Sequence, residues 1–134
     1  MKKIIPLLAL LASPSLWAET PAQFIASYSA EAAKAQPGFT ADAARGKAFA
    51  SRNQGVSSVL PSCTSCHTDN PRNPGRHAVT GKTIAPLSPA VNAERFSDPA
   101  KVEKWFKRNC KEVVGRTCTP AEKADFIAFA NGGR

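Results

Sequence analysis

The residues with the clearest chemical potential form one short group, Cys63-Thr64-Ser65-Cys66-His67. Two cysteines at this spacing, followed at once by histidine, are typical of covalent haem attachment, in which both thiols add to vinyl groups and the imidazole ligates iron. A disulfide, a thioredoxin-like redox pair or half of a zinc site can use similar spacing. Residues 54–61 lack the strand pattern that a thioredoxin-like pair needs, and zinc would require distant further ligands. We therefore expect one haem c held by Cys63, Cys66 and His67.

The first 18 residues indicate export. Lys2 and Lys3 precede an apolar stretch, and the segment ends at Trp17-Ala18, a pattern typical of a cleaved secretory signal peptide. We expect residues 1–18 to be removed and residues 19–134 to form one small domain in the periplasm. Because thiols are oxidised outside the cytosol, the two other cysteines, Cys110 and Cys118, are expected to form a disulfide.

Charge bears on the kind of partner. The chain has 18 Lys and Arg against 10 Asp and Glu, and removal of Lys2 and Lys3 lowers the formal net charge from +8 to +6. A positive balance of this size favours encounter with acidic proteins or anionic surfaces. The basic residues are scattered and the chain is expected to be exported, so nucleic acid is not an expected partner.

The elements that must position the attachment motif are helical. Capping residues and apolar spacing predict four main helices, which start at Thr20-Pro21, at about Thr40, at Asp98-Pro99 (continuing to Val113) and at Thr119-Pro120. Gly46 on the second helix would let another helix backbone approach closely. Residues 68–97 are rich in proline and glycine and predict a long irregular loop without strands. We therefore expect an all-α fold of about four to five helices around the haem. Six aromatic residues are expected in the core or against the haem: Phe24, Tyr28, Phe49, Trp105, Phe106 and Phe126.

The second axial ligand of the iron is less obvious. Met1 is the only methionine, and its removal excludes the thioether that many electron-transfer cytochromes use. The remaining candidates with nitrogen or oxygen donors are His77, Lys82, Asn92 and Asn109. Asn109 follows Val102 by seven residues and Trp105 by four, so on a helix it shares their apolar face. Spacing alone leaves Asn109 as either a ligand or a polar residue bonded to backbone, and leaves His77 as the second ligand of a bis-His electron carrier.

Several further segments match a known family. They are Thr80-Gly81-Lys82, Ala85-Pro86-Leu87-Ser88-Pro89, Arg95-Phe96, Val102-Glu103-Lys104-Trp105, Asn109-Cys110 and Cys118-Thr119-Pro120-Ala121-Glu122-Lys123. With the attachment motif, they make residues 21–130 resemble the SHP-type oxygen-binding monohaem cytochromes c and their relative cytochrome c″. The resemblance implies a class I-like helical cytochrome in which Asn109, just before the first cysteine of a disulfide, ligates ferric iron and is released on reduction. His77 matches no ligand of that family.

The resemblance also implies a function. Release of Asn109 would leave a ferrous iron open to O2, NO or CO, and an amide oxygen, as a hard and weak donor, suits the ferric state better. Relatives are associated with a dihaem cytochrome c and a membrane b-type cytochrome, which are the expected kinds of redox partner. The alternatives are a simple bis-His electron carrier and a small oxygen or nitrogen-oxide reductase. No motif supplies a distal acid or base, which favours electron transfer and ligand binding over turnover.

Overall fold

The all-α fold class is confirmed. The computed structural model describes residues 18–132, so the predicted signal peptide lies outside the described residues except for Ala18. The elements in chain order are α1 (Pro21–Ala33), α2 (Ala43–Ser51), α3 (Thr64–His67), β1 (Gly75–Arg76), β2 (Thr83–Ile84), α4 (Pro99–Asn109), a π-helical turn (Cys110–Val114) and α5 (Pro120–Ala130). Within the described residues, no helix has the length and apolar character needed to cross a membrane.

Two helices begin with reciprocal caps that the sequence predicted. At α1, Thr20 Oγ1 accepts from Gln23 N at 3.3 Å, and Thr20 N donates to Gln23 Oε1 at 2.7 Å. At α5, Thr119 and Glu122 make the same pair of bonds, at 3.2 and 2.9 Å. Each cap satisfies two backbone N–H groups that the first helical turn leaves unpaired. These predicted helix starts are therefore confirmed.

The start of α2 lies three residues later than predicted. Asp42 rather than Thr40 caps this helix, because Asp42 Oδ1 accepts from Arg45 N at 2.7 Å. The prediction for Gly46 is confirmed, since a Cβ at this position would lie only 1.9 Å from Asp125 O on α5. The buried Asp125 carboxylate also accepts from Asp42 N at 2.7 Å and from Arg45 Nε at 2.9 Å. Close backbone contact and an ion pair from the exposed Arg45 to the buried Asp125 thus hold α2 against α5.

The core surrounds α5. Its fully buried Ile127 and Ala130 belong to a cluster that also contains Phe24, Leu87, Phe96 and Val102. Three of the predicted core aromatics continue this packing edge to face, with ring centroids 6.0 Å apart for Tyr28 and Phe106 and 5.8 Å apart for Phe106 and Phe126. Of the two expectations for Trp105, packing in the protein core is wrong, because its side chain is 45% exposed, and contact with the haem stays a prediction.

Two further details differ from the sequence prediction. Residues 68–97 are not free of strands, since β1 and β2 form a short antiparallel pair in which Gly75 lies opposite Ile84 and Arg76 opposite Thr83. The helix that starts at Pro99 does not continue as an α-helix to Val113, because it ends at Asn109 and becomes the π turn. The change of helix type falls directly after the residue proposed as the second iron ligand.

Candidate haem site

The attachment motif folds into a single helical turn. Cys63 directly precedes α3 as its N-cap residue, and its carbonyl accepts from Cys66 N at 3.3 Å and from His67 N at 3.1 Å. Residues three and four apart on a helix are neighbours on one face, so Cys66 and His67 both lie beside Cys63. Both cysteines are free thiols and partly buried. The structure therefore brings the three predicted attachment residues together.

The motif is braced from both sides. Buried Ser62 precedes it, and its Oγ lies 3.1 Å from Thr64 Oγ1 and 2.9 Å from Ser65 Oγ. On the other side, a Cβ at Gly75 would lie 2.0 Å from Cys66 O, so only glycine allows β1 to approach so closely. The β1–β2 hairpin therefore packs directly on the backbone of the motif.

The burial of the motif sets the protonation of its side chains. Burial raises the pKa of the Cys63 thiol to about 11, so the free thiol is neutral at physiological pH. Burial, together with the positive charge of Arg95, lowers the pKa of His67 to about 4. The imidazole is therefore neutral, which is the form that binds metals. Among residues 18–132, the His67 ring has no hydrogen-bond partner.

Asn109 lies at the junction of two helix types. It is the last residue of α4 and directly precedes the π turn. Its side chain is half-buried and makes no hydrogen bond within the described part of the chain, so the alternative of an amide bonded to backbone is not observed. Of the two residues expected on its face, Val102 is buried but Trp105 is not. Asn109 thus lies at the edge of the buried stripe. No hydrogen bond joins it to His67 in residues 18–132.

The predicted disulfide is present. Cys110 and Cys118 are joined, with their Cα atoms 5.7 Å apart. Both cysteines are buried and pack in a cluster with Phe49. The bond connects the residue directly after Asn109 with the segment just before α5. It therefore anchors the end of α4 to a second buried cluster beside Phe49 of α2.

The other candidate ligands have different roles in the structure. His77 begins the hairpin turn, where its Nδ1 accepts from Val79 N and Thr80 N, each at 3.2 Å. A neutral imidazole that accepts at Nδ1 has its proton on Nε2, which leaves no lone pair there for iron. Asn92 donates from Nδ2 to Pro86 O at 3.1 Å. Lys82, also in the hairpin, is exposed.

A residue that the sequence reasoning gave no role belongs to this site. The half-buried guanidinium of Arg95 lies close enough to His67 to affect its pKa, and no carboxylate pairs with it in residues 18–132. These groups fit haem c. Two free thiols on one helical turn suit its vinyl groups, the neutral imidazole beside them suits its iron, and a cation without an anion suits its propionates. Nothing in the local sequence distinguishes a half-buried arginine from an exposed one.

Comparisons with known proteins find cytochromes c of similar sequence and fold. Residues 36–130 match a family model described as "Domain of unknown function (DUF1924)". The cytochrome c-type protein SHP from Cereibacter sphaeroides is 48% identical over 131 residues, which is 96% of this chain and 97% of SHP.

Solved structures are also similar. A structure of oxidised SHP, described as an oxygen-binding cytochrome c, has a TM-score of 0.77 and 46% identity, and the match covers 86% of this chain and 98% of that one. A solution structure of cytochrome c″ from Methylophilus methylotrophus, described as giving insight into haem-ligand detachment, has a TM-score of 0.70 and 38% identity, with 83% and 91% covered.

Proposed function

Because the chain belongs to the family of SHP and cytochrome c″, we propose that it is a periplasmic electron-transfer cytochrome that binds O2, NO or CO at its iron after reduction has released Asn109. As a member of this family it is a c-type cytochrome with one covalently bound haem c. When bound, haem supplies an iron centre that changes oxidation state by one electron and has two axial positions. Cys63 and Cys66 form the covalent links, and His67 is the ligand on the attachment side.

The observation that supports this function best is the unpartnered side chain of Asn109. Its amide makes no hydrogen bond to the described residues, so the oxygen is available to a partner outside the polypeptide without the loss of a protein contact. Its oxygen is a hard and weak donor, which binds ferric iron better than ferrous iron. Asn109 can therefore hold one oxidation state and be released from the other.

The local structure around Asn109 is consistent with such a release. The π turn that follows it is a rare helix type, and single π turns within helices are frequent at functional sites. The Cys110–Cys118 disulfide holds the next residue in place. The backbone at Asn109 is thus anchored on one side, while its side chain makes no bond to the described protein that would have to break.

Absorption spectra of the purified holoprotein test the proposal. The ferric wild type is expected to be low-spin, and the ferrous form to be high-spin and to change on addition of CO. The Asn109→Ala variant should be high-spin in the ferric state as well. The matched control is Asn92→Ala, which removes another amide considered as a ligand but should leave the wild-type ferric spectrum. A ferrous wild type that stays low-spin and ignores CO would contradict the release.

The bis-His alternative gives the opposite result for a different variant. If His77 were the second ligand, His77→Ala would abolish the low-spin ferric signal and Asn109→Ala would preserve it. The acceptor role of His77 Nδ1 in the hairpin turn argues against this outcome. Comparison of the two variants therefore identifies the residue that binds the ferric iron.

The periplasmic location and the redox partner are parts of the same proposal. Residues 1–18 have the pattern of a signal peptide, and the net charge of +6 without Lys2 and Lys3 suits an acidic donor protein. A dihaem cytochrome c or a membrane b-type cytochrome is the kind of donor proposed. Protein isolated from a periplasmic fraction should begin at Glu19, and a full-length protein retained in the cytosol would contradict the location.

A further inference from the structure

Arg95 differs from Lys123, another half-buried cation among residues 18–132, because it has no counter-ion, whereas Lys123 Nζ pairs with Glu103 at 2.9 Å. The buried Asp125 pairs with Arg45 at 2.9 Å, and the largely buried Glu122 pairs with Arg116 at 2.6 Å. Arg95 forms no ion pair with any carboxylate in residues 18–132. Burial lowers the pKa of its guanidinium, which shows that its surroundings disfavour the charged form. A cation in such a position is expected to have an anion beside it.

Backbone carbonyls hold the guanidinium in a defined orientation. Arg95 Nε donates to Pro86 O at 2.9 Å, and Nη2 donates to Ala85 O at 2.7 Å. A guanidinium has five N–H donors in one plane, and these two bonds use only two of them. Nη1 has no hydrogen-bond partner in the described part of the chain. The side chain is thus fixed along one edge and has donors available along another.

The segment that holds Arg95 is itself well anchored. Ser88 is 2% exposed, and its N–H donates to Pro71 O at 2.8 Å. Asn92 Nδ2 donates to the same carbonyl of Pro86 that accepts from Arg95. Leu87, between these anchors, is buried in the main core. The position of the cation is therefore fixed by the fold, which reduces the entropy lost when it binds an anion.

The position of Arg95 relates it to the haem site rather than to the surface. Its Nη2 donates to Ala85 O directly after β2, and Ile84 of β2 lies opposite Gly75, whose backbone packs against Cys66 and His67. The anionic groups of haem c are its two propionates, and guanidinium groups bind carboxylates through paired N–H donors. We propose that Arg95 is the partner of a haem propionate, with Nη1 and the second Nη2 proton as the donors. This inference depends on haem attachment but not on the release of Asn109.

The reduction potential reports whether the charge of Arg95 lies near the iron, and the position of the propionates in the holoprotein reports whether Arg95 binds one of them. A positive charge near the iron disfavours the ferric state, so Arg95→Gln should lower the midpoint potential at neutral pH. For a unit charge about 10 Å from the iron and an effective dielectric constant of about 20, its removal should raise the ferric-to-ferrous ratio at a fixed applied potential on the order of tenfold. Arg95→Lys retains the charge without the planar donors and should give a smaller rise.

The control variant is Lys34→Gln. It removes one positive charge from an exposed side chain at the end of α1 and should leave the potential unchanged. If Arg95→Gln lowers the unfolding free energy but retains the wild-type potential, Arg95 only anchors residues 85–86 and the proposal fails. If the glutamine variant does not mature, a crystal structure of the wild-type holoprotein decides. A propionate oxygen within about 3.2 Å of Arg95 Nη1 or Nη2 supports the pairing, and two propionates bound elsewhere overturn it.

Discussion

Removal of the Cys110–Cys118 disulfide should weaken both the fold and the hold on Asn109. The bond closes a short loop, with a sequence separation of 8. In the chain-entropy model, a disulfide that closes a loop of this length stabilises the folded state by about 2.5 kcal/mol. The double variant Cys110→Ala/Cys118→Ala avoids an unpaired thiol and also loses some buried packing against Phe49. We therefore expect its unfolding free energy to fall by at least this amount in guanidinium titrations followed by circular dichroism.

The same change should be visible at the iron. Without the tether, the chain after Asn109 gains conformational freedom, so the amide competes less well with added ligands. We expect the ferric affinity for imidazole to rise severalfold, up to about tenfold, which corresponds to a weakening of the Asn109 bond by about 1.4 kcal/mol. Spectral titration of the ferric holoprotein with imidazole measures this affinity directly.

A control in the same loop separates the tether from the loop residues. Arg116→Gln removes the ion pair with Glu122 but leaves the disulfide intact. Because the Arg116 side chain is 49% exposed, the cost in stability should be under about 1 kcal/mol, and imidazole affinity should not change. The reasoning is refuted if the double alanine variant unfolds at a lower denaturant concentration while its imidazole affinity equals that of the wild type. The disulfide would then serve stability alone.

Other parts of the structure give three further expectations. Gly75→Ala should lower the unfolding free energy by about 1–3 kcal/mol and reduce the yield of covalent haem, because its Cβ would lie 2.0 Å from Cys66 O; a stable, fully haem-loaded variant would contradict this. Burial acts to raise the pKa of Glu122, but hydrogen bonds from Arg116 and the α5 cap lower it overall. The contribution of Glu122 to the unfolding free energy should therefore be present above about pH 4.3 and be lost as the pH falls further. In acid titrations, Glu122→Gln should lose less stability than the wild type. Raising the salt concentration from about 0.01 M to about 0.15 M shortens the Debye length from about 30 Å to about 8 Å, so stopped-flow reduction by an acidic donor protein should slow severalfold, and an unchanged rate would exclude electrostatic steering.

Local chemistry made the helix starts predictable. The two reciprocal caps at Thr20 and Thr119 depend only on residues within one turn, so the sequence contains all the information that they need. The close approach at Gly46 was also predictable as a possibility, because a missing side chain on an apolar face permits it. That α5 would be the helix to approach could not be predicted, since this depends on the tertiary arrangement.

The errors have physical reasons as well. A strand pair of two residues on each side is too short to produce an alternating pattern, so β1 and β2 left no signal in the sequence. Val113 keeps its buried position although the helix changes type at Cys110, and a pattern of apolar residues does not distinguish an α turn from a π turn. Trp105 fitted the apolar spacing of α4, but spacing does not show how wide the buried face of a helix is.

The candidate site was predictable in its covalent part and less so in its electrostatics. Cys63, Cys66 and His67 form a local motif whose chemistry follows from residue types and spacing. Arg95 and His67 are far apart in the sequence, and only the fold brings the charge of one to the other. The preference for Asn109 over His77 came from a family resemblance, and the structure adds the hydrogen bonds of the His77 ring as a physical reason for it.

The anchoring of α4 limits the kind of motion that can release Asn109. In the first half of the helix, Glu103 accepts from the Tyr28 hydroxyl and pairs with Lys123 Nζ at 2.9 Å, which ties α4 to α1 and α5. At its end, the buried disulfide ties Cys110 to the start of α5. A movement of the whole helix would have to break one of these attachments. The release that we propose therefore requires only a new rotamer of Asn109 or a local change between α and π geometry, and both leave the core intact.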